Sequence, residues 1–241
     1  MPDAIFTDPR LAAVYDAFDG PRDDLAAYLG IADELRAERV VDLGCGTGSL
    51  ALLLAASGRT VVGADPAEAS LEVAKARAGA DRVRWLHGDA TTLPDLAADL
   101  AVMTGNVAQV FLTDGDWART LDGLRAALRP GGHLVFETRR PERRAWVDWA
   151  AAAPVVLDVP GTGLVEQRLE VTGVHLPLVT FHFTYRFLSD GSVVTSESTL
   201  RFRERAEVEK DLLTHGFRVR DVREAPDRPG KEYVFVAERA R

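Results

Sequence analysis

Residues 40–55 read VVDLGCGTGSLALLLA, and this stretch decides how the rest of the chain is organised. An aliphatic, β-branched run ends at Leu43, three glycines follow within five positions, and a leucine- and alanine-rich segment begins at Ser49. The first part suits a buried strand and the last a helix. Between them, glycine permits left-handed backbone and frees main-chain N–H groups at a helix start to meet a ligand. A ligand-free turn gains nothing from Gly44, Gly46 and Gly48, because ordering glycine costs more backbone entropy than ordering any other residue. The spacing is GxGxG, not the GxGxxG of dinucleotide sites. Asp42, two residues before the first glycine, would repel a pyrophosphate and suits a ligand carrying an ammonium and a sulfonium.

Outward from this loop the pattern repeats. Apolar runs at Arg39–Leu43, Thr60–Ala64, Arg82–Leu86, Asp99–Thr104 and His133–Glu137 alternate with helical stretches at Ser49–Ser57, Ala67–Ala78 and Asp114–Leu128. Such alternation predicts parallel βαβ units, and right-handed crossovers make them a doubly wound α/β sheet. Two helices, Pro9–Phe18 and Arg22–Ala37, are expected before it, parted by the breaker Asp19-Gly20-Pro21. After Pro141 a Trp-containing helix (Glu142–Ala152) leads into period-2 alternation. Phe181, Phe183, Tyr185 and Phe187 point one way, and Thr180, His182, Thr184 and Arg186 the other. With Gly163–Thr172 and Ser192–Phe202 this predicts an antiparallel insertion of about three strands. A last helix, Glu204–Thr214, precedes a closing hairpin of Phe217–Arg223 and Lys231–Glu238, which places an antiparallel strand at or near the sheet edge. The expectation is one domain over 1–241: an N-terminal helical part (1–38), a ligand-binding core (39–140), the helix and β insertion (141–203), and the final helix and hairpin (204–241).

Composition narrows the function classes. The chain has 241 residues, a net charge of −8 and one cysteine, Cys45. An acidic average disfavours broad nucleic-acid contact, and a lone cysteine excludes an intramolecular disulfide framework. The N-terminus lacks the basic and apolar regions of a signal peptide, and no apolar run reaches the ~20 residues that span a bilayer. A cytoplasmic protein without a membrane partner is expected. No Cys/His cluster has zinc spacing, so no metal is implied, and no GxSxG elbow is present.

VVDLGCGTG resembles the first motif of the class I S-adenosylmethionine-dependent methyltransferases, and four further segments fall in that family's order. Asp65, followed by Pro66, matches the acidic residue that accepts hydrogen bonds from both ribose hydroxyls. Asp89-Ala90 matches the adenine-contacting pair, and Thr104-Gly105-Asn106 lies where the donor's methionine end meets the acceptor pocket. Leu128-Arg129-Pro130-Gly131-Gly132 matches the L-x-P-G-G turn. The resemblance implies a seven-stranded Rossmann-like sheet, S-adenosyl-L-methionine as cofactor, and cofactor contacts from Asp42, Gly44, Cys45, Gly46, Gly48, Asp65, Pro66, Asp89, Ala90, Thr104 and Asn106. It covers residues 11–137 and, more loosely, the rest.

For the acceptor the residues say less. LAAVYDAF (11–18) resembles the helix that folds over the donor in small-molecule methyltransferases, which would bring Tyr15 into the site or leave it as a core anchor. The late β insertion is similar in layout, with little residue identity, to that of sugar N-methyltransferases, where it binds acceptor or builds a dimer. A small-molecule acceptor and a homodimer are therefore expected. A methyltransferase of RNA or protein is the alternative, and after it an NAD(P)-dependent oxidoreductase or a non-catalytic nucleotide-binding protein. The catalytic group stays unassigned, with Tyr15, Asn106 and Glu137 as candidates; Glu137 has Arg139 and Arg140 as competing partners. His175 and His182 read as sheet residues, Gln109 as an acceptor contact or a turn cap, and Trp146 and Trp149 as packing.

Overall fold

A computed structural model describes residues 2–20 and 22–241 of the chain; Pro21, part of the expected breaker, lies outside them. Three helices come first: α1 (Ala4–Thr7), α2 (Pro9–Asp19) and α3 (Leu25–Glu34). The core then runs β1 (Arg39–Leu43), α4 (Ser49–Ala56), β2 (Thr60–Asp65), α5 (Glu68–Lys75), β3 (Val83–His87), β4 (Ala98–Met103), α6 (Asp114–Ala127) and β5 (Leu128–Arg139). After α7 (Ala145–Ala150) come β6 (Val155–Val159), β7 (Gly163–His175), β8 (Leu178–Phe187) and β9 (Val193–Arg201). The chain closes with α8 (Arg205–Thr214), β10 (Phe217–Glu224) and β11 (Glu232–Arg239).

The main sheet has seven strands in the order β10-β11-β5-β4-β1-β2-β3. Strands β1 to β5 pair in parallel and β11 pairs antiparallel with both β5 and β10, so the reversed strand lies one in from the edge. Strands β1, β2 and β4 are buried on both faces, as runs without polar alternation require, while the edge strand β3 is partly exposed. Val41, Met103 and Phe136 face a core shared with Trp117 of α6, Phe217 and Phe235. Val40, Val102 and Val135 face the other, shared with Tyr28 of α3 and Leu50 of α4. Asp42 falls in this second row by the period-2 rule.

The insertion is a separate antiparallel sheet, β6-β7-β8-β9. It has four strands where three were expected. The missed strand, VVLDV, is a short edge whose Val155 and Val156 are exposed, so it carries no inward-outward alternation to read. In the same sheet β8 does alternate: Val179, Phe181, Tyr185 and Phe187 are buried, and Arg186 is exposed. The buried face receives the N-terminal helices. Asp8 caps α2, its carboxylate accepting from the N–H groups of Arg10 and Leu11 (2.8 and 3.2 Å), and Pro9 pre-sets the first turn. Leu11 and Val14 then pack with Val165, Tyr185 and Phe187. The second helix is shorter than read, starting at Leu25 because Arg22, Asp23 and Asp24 form the turn before it. Among the described residues no helix is long and apolar enough to cross a membrane.

Candidate active site

The C-terminal ends of β1, β2, β4 and β5 meet on one edge of the main sheet. The glycine loop there is left-handed at Gly44, Gly46 and Gly48 (φ +72°, +52° and +84°). Each glycine has its own reason. A Cβ at Gly44 would lie 2.6 Å from Val107, and one at Gly48 would lie 2.6 Å from Trp85; at Gly46 it would meet nothing within 4 Å. Gly44 and Gly48 are thus packed from beneath, while the space above Gly46 is open. The loop is tied to β2 because the N–H groups of Gly44 and Cys45 both donate to the Ala64 carbonyl (2.8 and 3.2 Å). The Cys45 carbonyl in turn accepts from Gly48 N–H (2.8 Å), and burial pushes the Cys45 thiol well above the ordinary range.

Asp65 ends β2 beneath this loop and is only 7 % exposed. Its Oδ2 accepts from Gly46 N–H and its Oδ1 from Ala67 N–H, both at 2.8 Å. Burial raises its pKa, opposed by these two N–H groups. One carboxylate therefore clamps the glycine loop and the start of α5 together. Asp42 differs: it is 1 % exposed, and its Oδ1 has no hydrogen-bond partner among the described residues. Burial and then the charge of Asp65 push it up to about 7, against the pull of Arg22. A buried carboxylate oxygen with no donor is costly to leave unmatched, and a cation would match it.

Asp89 is exposed and caps the turn 90–92: its Oδ1 accepts from Thr91 N–H (2.8 Å) and Thr91 Oγ1 (2.6 Å). Ala90 is buried against Gly123 of α6, where an added Cβ would stand 2.1 Å from the Ala90 carbonyl oxygen. Gly123→Ala normally favours a helix by ~1 kcal/mol. Here it is expected to destabilise by ~1–3 kcal/mol through overpacking, read as a lower melting temperature. An unchanged or raised one would refute that contact. Pro66 is exposed, with its carbonyl 3.1 Å from His87 Nε2, and Thr104 is half-buried just past β4.

Asn106 lies in the loop after β4. It is buried and left-handed (φ +62°). Its N–H donates to Glu137 Oε1 (2.9 Å) and its Nδ2 to Glu232 Oε1 (3.0 Å). Its amide nitrogen is thus spent on the protein, while its Oδ1 is buried with no hydrogen-bond partner among the described residues. Glu137 takes neither Arg139 nor Arg140 as its partner: Arg139 pairs with Glu232 (3.7 Å) and Arg140 with Glu224 (3.1 Å). Burial, then Glu232, push Glu137 up to about 8. Gln109 is buried and accepts from Arg139 through Oε1 (3.1 Å).

Tyr15 is half-buried 5.5 Å from Phe6, centroid to centroid; burial and the Asp19 charge hold its phenol well above the usual range. From α2 a continuous aromatic wall runs across β8 to α7: Phe18–Tyr185 (5.5 Å), Tyr185–Phe183 (5.9 Å), Phe183–Phe181 (5.6 Å) and Phe181–Trp149 (5.3 Å). The Arg139 guanidinium lies 5.2 Å from the Trp149 ring. Trp146 packs edge-on against Phe202 (4.9 Å). His182 lies on the other face of β8, in register with Glu170 and Glu197, and His175 is exposed beyond it.

Several site residues had no sequence signal. Trp85 supports both Gly48 and Gly63 from beneath. Asp16 of α2 accepts from Thr47 Oγ1 (2.6 Å) and pairs with Arg77 (3.2 Å), which also donates to the Thr47 carbonyl (3.2 Å) and to Ser49 Oγ (2.9 Å). This latch fastens the N-terminal helix to the glycine loop. Arg203 donates to the carbonyls of Ala108 and Phe111 (3.2 and 2.6 Å), tying the end of the insertion to the loop after β4.

The fold and this edge together define a class I methyltransferase fold. Within it, residues 40–132 match the methyltransferase-domain family. Over 102 residues the chain is 43 % identical to a demethylmenaquinone methyltransferase of Clavibacter sepedonicus, covering 41 % of this chain and 40 % of that protein. Over 128 residues it is 29 % identical to a ubiquinone biosynthesis O-methyltransferase of Acinetobacter baylyi, covering 52 % and 54 %. The chain thus spans about half the length, or less, of these curated relatives. Among solved structures, the sugar N-methyltransferase KedS8 from Streptoalloteichus superposes with a TM-score of 0.78 at 16 % identity, over 95 % of this chain and 93 % of that one. DesVI of Streptomyces venezuelae gives 0.75 at 22 % identity, over 94 % and 97 %. These superpositions include the β insertion, so the whole architecture recurs, not the 40–132 segment alone.

Proposed function

We propose that this protein is an S-adenosylmethionine-dependent methyltransferase acting on a small molecule. The observation that carries the reading is the pairing of an open, left-handed glycine loop with Asp42, a buried carboxylate whose oxygen has no partner. A ligand that brings an ammonium or sulfonium supplies what Asp42 lacks. Asp65 keeps lone pairs free for ribose hydroxyls beyond those used by Gly46 and Ala67. Asp89 and the buried Ala90 frame the position expected for adenine.

The bound donor supplies a methyl group on a positively charged sulfur. The chain has to align the acceptor, exclude water and manage a proton. In this reading α2, latched by Asp16 to Thr47, covers the donor, and the aromatic wall with Arg139 flanks the acceptor. Tyr15, kept protonated, serves as a hydrogen-bond donor. Glu137 acts as a positioning residue through Asn106, since one of its oxygens is already taken and its acidity is suppressed. The named relatives act on quinone precursors and sugars, which supports a small acceptor.

Calorimetric titration with S-adenosylhomocysteine and with NADH tests the reading. Micromolar binding of the first and none of the second is expected. The reverse result would overturn it and favour an oxidoreductase.

A further inference from the structure

A cavity of about 180 Å³ lies between α3 and the β10–β11 hairpin, to one side of the glycine loop. Tyr28, Ile31 and Val234 give it apolar walls, and Asp24, Glu137 and Glu232 also line it. Glu137 and Glu232 are each 2 % exposed, and each keeps one oxygen, Oε2, without a hydrogen-bond partner among the described residues. Their other oxygens are taken: Asn106 donates to both, and Arg228 Nη1 also donates to Glu232 (3.1 Å). Asp24, by contrast, is fully engaged by the Arg22 fork (2.9 and 2.8 Å). The free hydrogen-bonding capacity of these three acids therefore sits on two buried side chains: Glu232, whose other oxygen is paired with Arg139 (3.7 Å) and Arg228, and Glu137, which burial keeps protonated near neutral pH. At the rim Arg223 is held in a two-pronged pair with Glu34 (2.8 and 2.7 Å), which keeps its charge at the surface.

We infer that this cavity is a binding site for a small organic ammonium ion with an apolar body, its charged end on Glu137 and Glu232 and its hydrocarbon against Tyr28, Ile31 and Val234. An ammonium carries enough N–H donors to reach both idle oxygens, and its charge favours the ionised form of Glu137 that burial and Glu232 disfavour. A neutral alcohol brings one donor and no charge, and an anion would face the acidic pair without a donor. The size fits: a cavity of about 150 Å³ lined by apolar groups accepts benzene, so about 180 Å³ holds a benzyl-sized body. The apolar walls of Tyr28, Ile31 and Val234 suit a hydrocarbon body beside the charge, which a bare metal ion lacks. Occupancy acts on the neighbouring edge through Asn106, whose backbone and amide hang on the same two carboxylates.

The test uses benzylammonium, with benzyl alcohol as its neutral isostere, titrated calorimetrically into the full chain. Gly30 provides a blocking variant that spares the fold: it lines the cavity, and a Cβ there meets nothing within 4 Å. Gly30→Leu fills the space while raising helix propensity. The wild type is expected to bind benzylammonium roughly tenfold or more tightly than benzyl alcohol, as for a charge-assisted hydrogen bond. Gly30→Leu abolishes binding, and Glu232→Gln removes the preference for the amine. S-adenosylhomocysteine affinity stays unchanged in Gly30→Leu, so this site fails or stands separately from the methyltransferase reading. Equal binding of amine and alcohol, or undiminished amine binding by Gly30→Leu, would overturn the proposal.

Discussion

Asp65→Ala is expected to weaken S-adenosylhomocysteine binding roughly tenfold or more, and to lower the melting temperature of the unliganded protein as well. The first effect follows from losing a charged hydrogen-bonding group at the ribose, about 1.5–3 kcal/mol. The second follows from the clamp: Gly46 N–H and Ala67 N–H both donate to this carboxylate and would lose their acceptor together. Asp65→Asn separates the two. Its amide oxygen still accepts from one N–H while its NH₂ faces the other, so it should fall between wild type and alanine in both measurements. Calorimetry of ligand binding beside thermal melting of each variant reads them out. Unchanged affinity in Asp65→Ala sinks the ribose assignment. Weakened affinity with an unchanged melting temperature would show that the loop holds its shape without the clamp.

What was legible in the sequence depended on whether a residue's task is local. The strand, glycine loop and helix of residues 40–55 are written in consecutive positions, and Arg39–Leu43 came out with its observed bounds. The phenylalanine alternation of β8 was legible for the same reason. β6 was not, because an edge strand with both faces partly wet loses the period that identifies it. At the site, Asp42 and Asp65 announce themselves by their distance from the glycines. Glu232 does not: it lies 126 residues from Asn106, and only the antiparallel return of β11 beside β5 brings them together. The same holds for Asp16 with Thr47, 31 residues apart, and for Arg203 with the loop after β4. Asn106 was legible as a residue of the loop after β4, yet its side-chain amide is held by Glu232 and its backbone N–H by Glu137, acids from other strands. Those partners are tertiary facts with no trace in the residues around it.

The same distinction bears on Asp42, whose position was legible and whose protonation was not. Asp42→Asn is expected to leave the unliganded protein as stable as wild type, or more so, near pH 8, while weakening S-adenosylhomocysteine binding roughly tenfold, since only the charged form meets an ammonium. The sign follows from proton linkage. Asp42 is raised from 3.8 to about 7 and Glu137 from 4.5 to about 8, so between these limits the folded chain holds protons that the unfolded chain has released. Stability then falls as pH rises from about 4 through about 8, because the native state binds more protons than the unfolded one. A cationic ligand reverses the local preference by favouring ionised Asp42. Affinity should therefore rise from about pH 5 to about pH 8, with proton release on binding near pH 7. Titrations in two buffers of different ionisation enthalpy count that proton, and Asp42→Asn should release fewer. Affinity independent of pH across this range in the wild type, with no proton released, would remove Asp42 from the donor site.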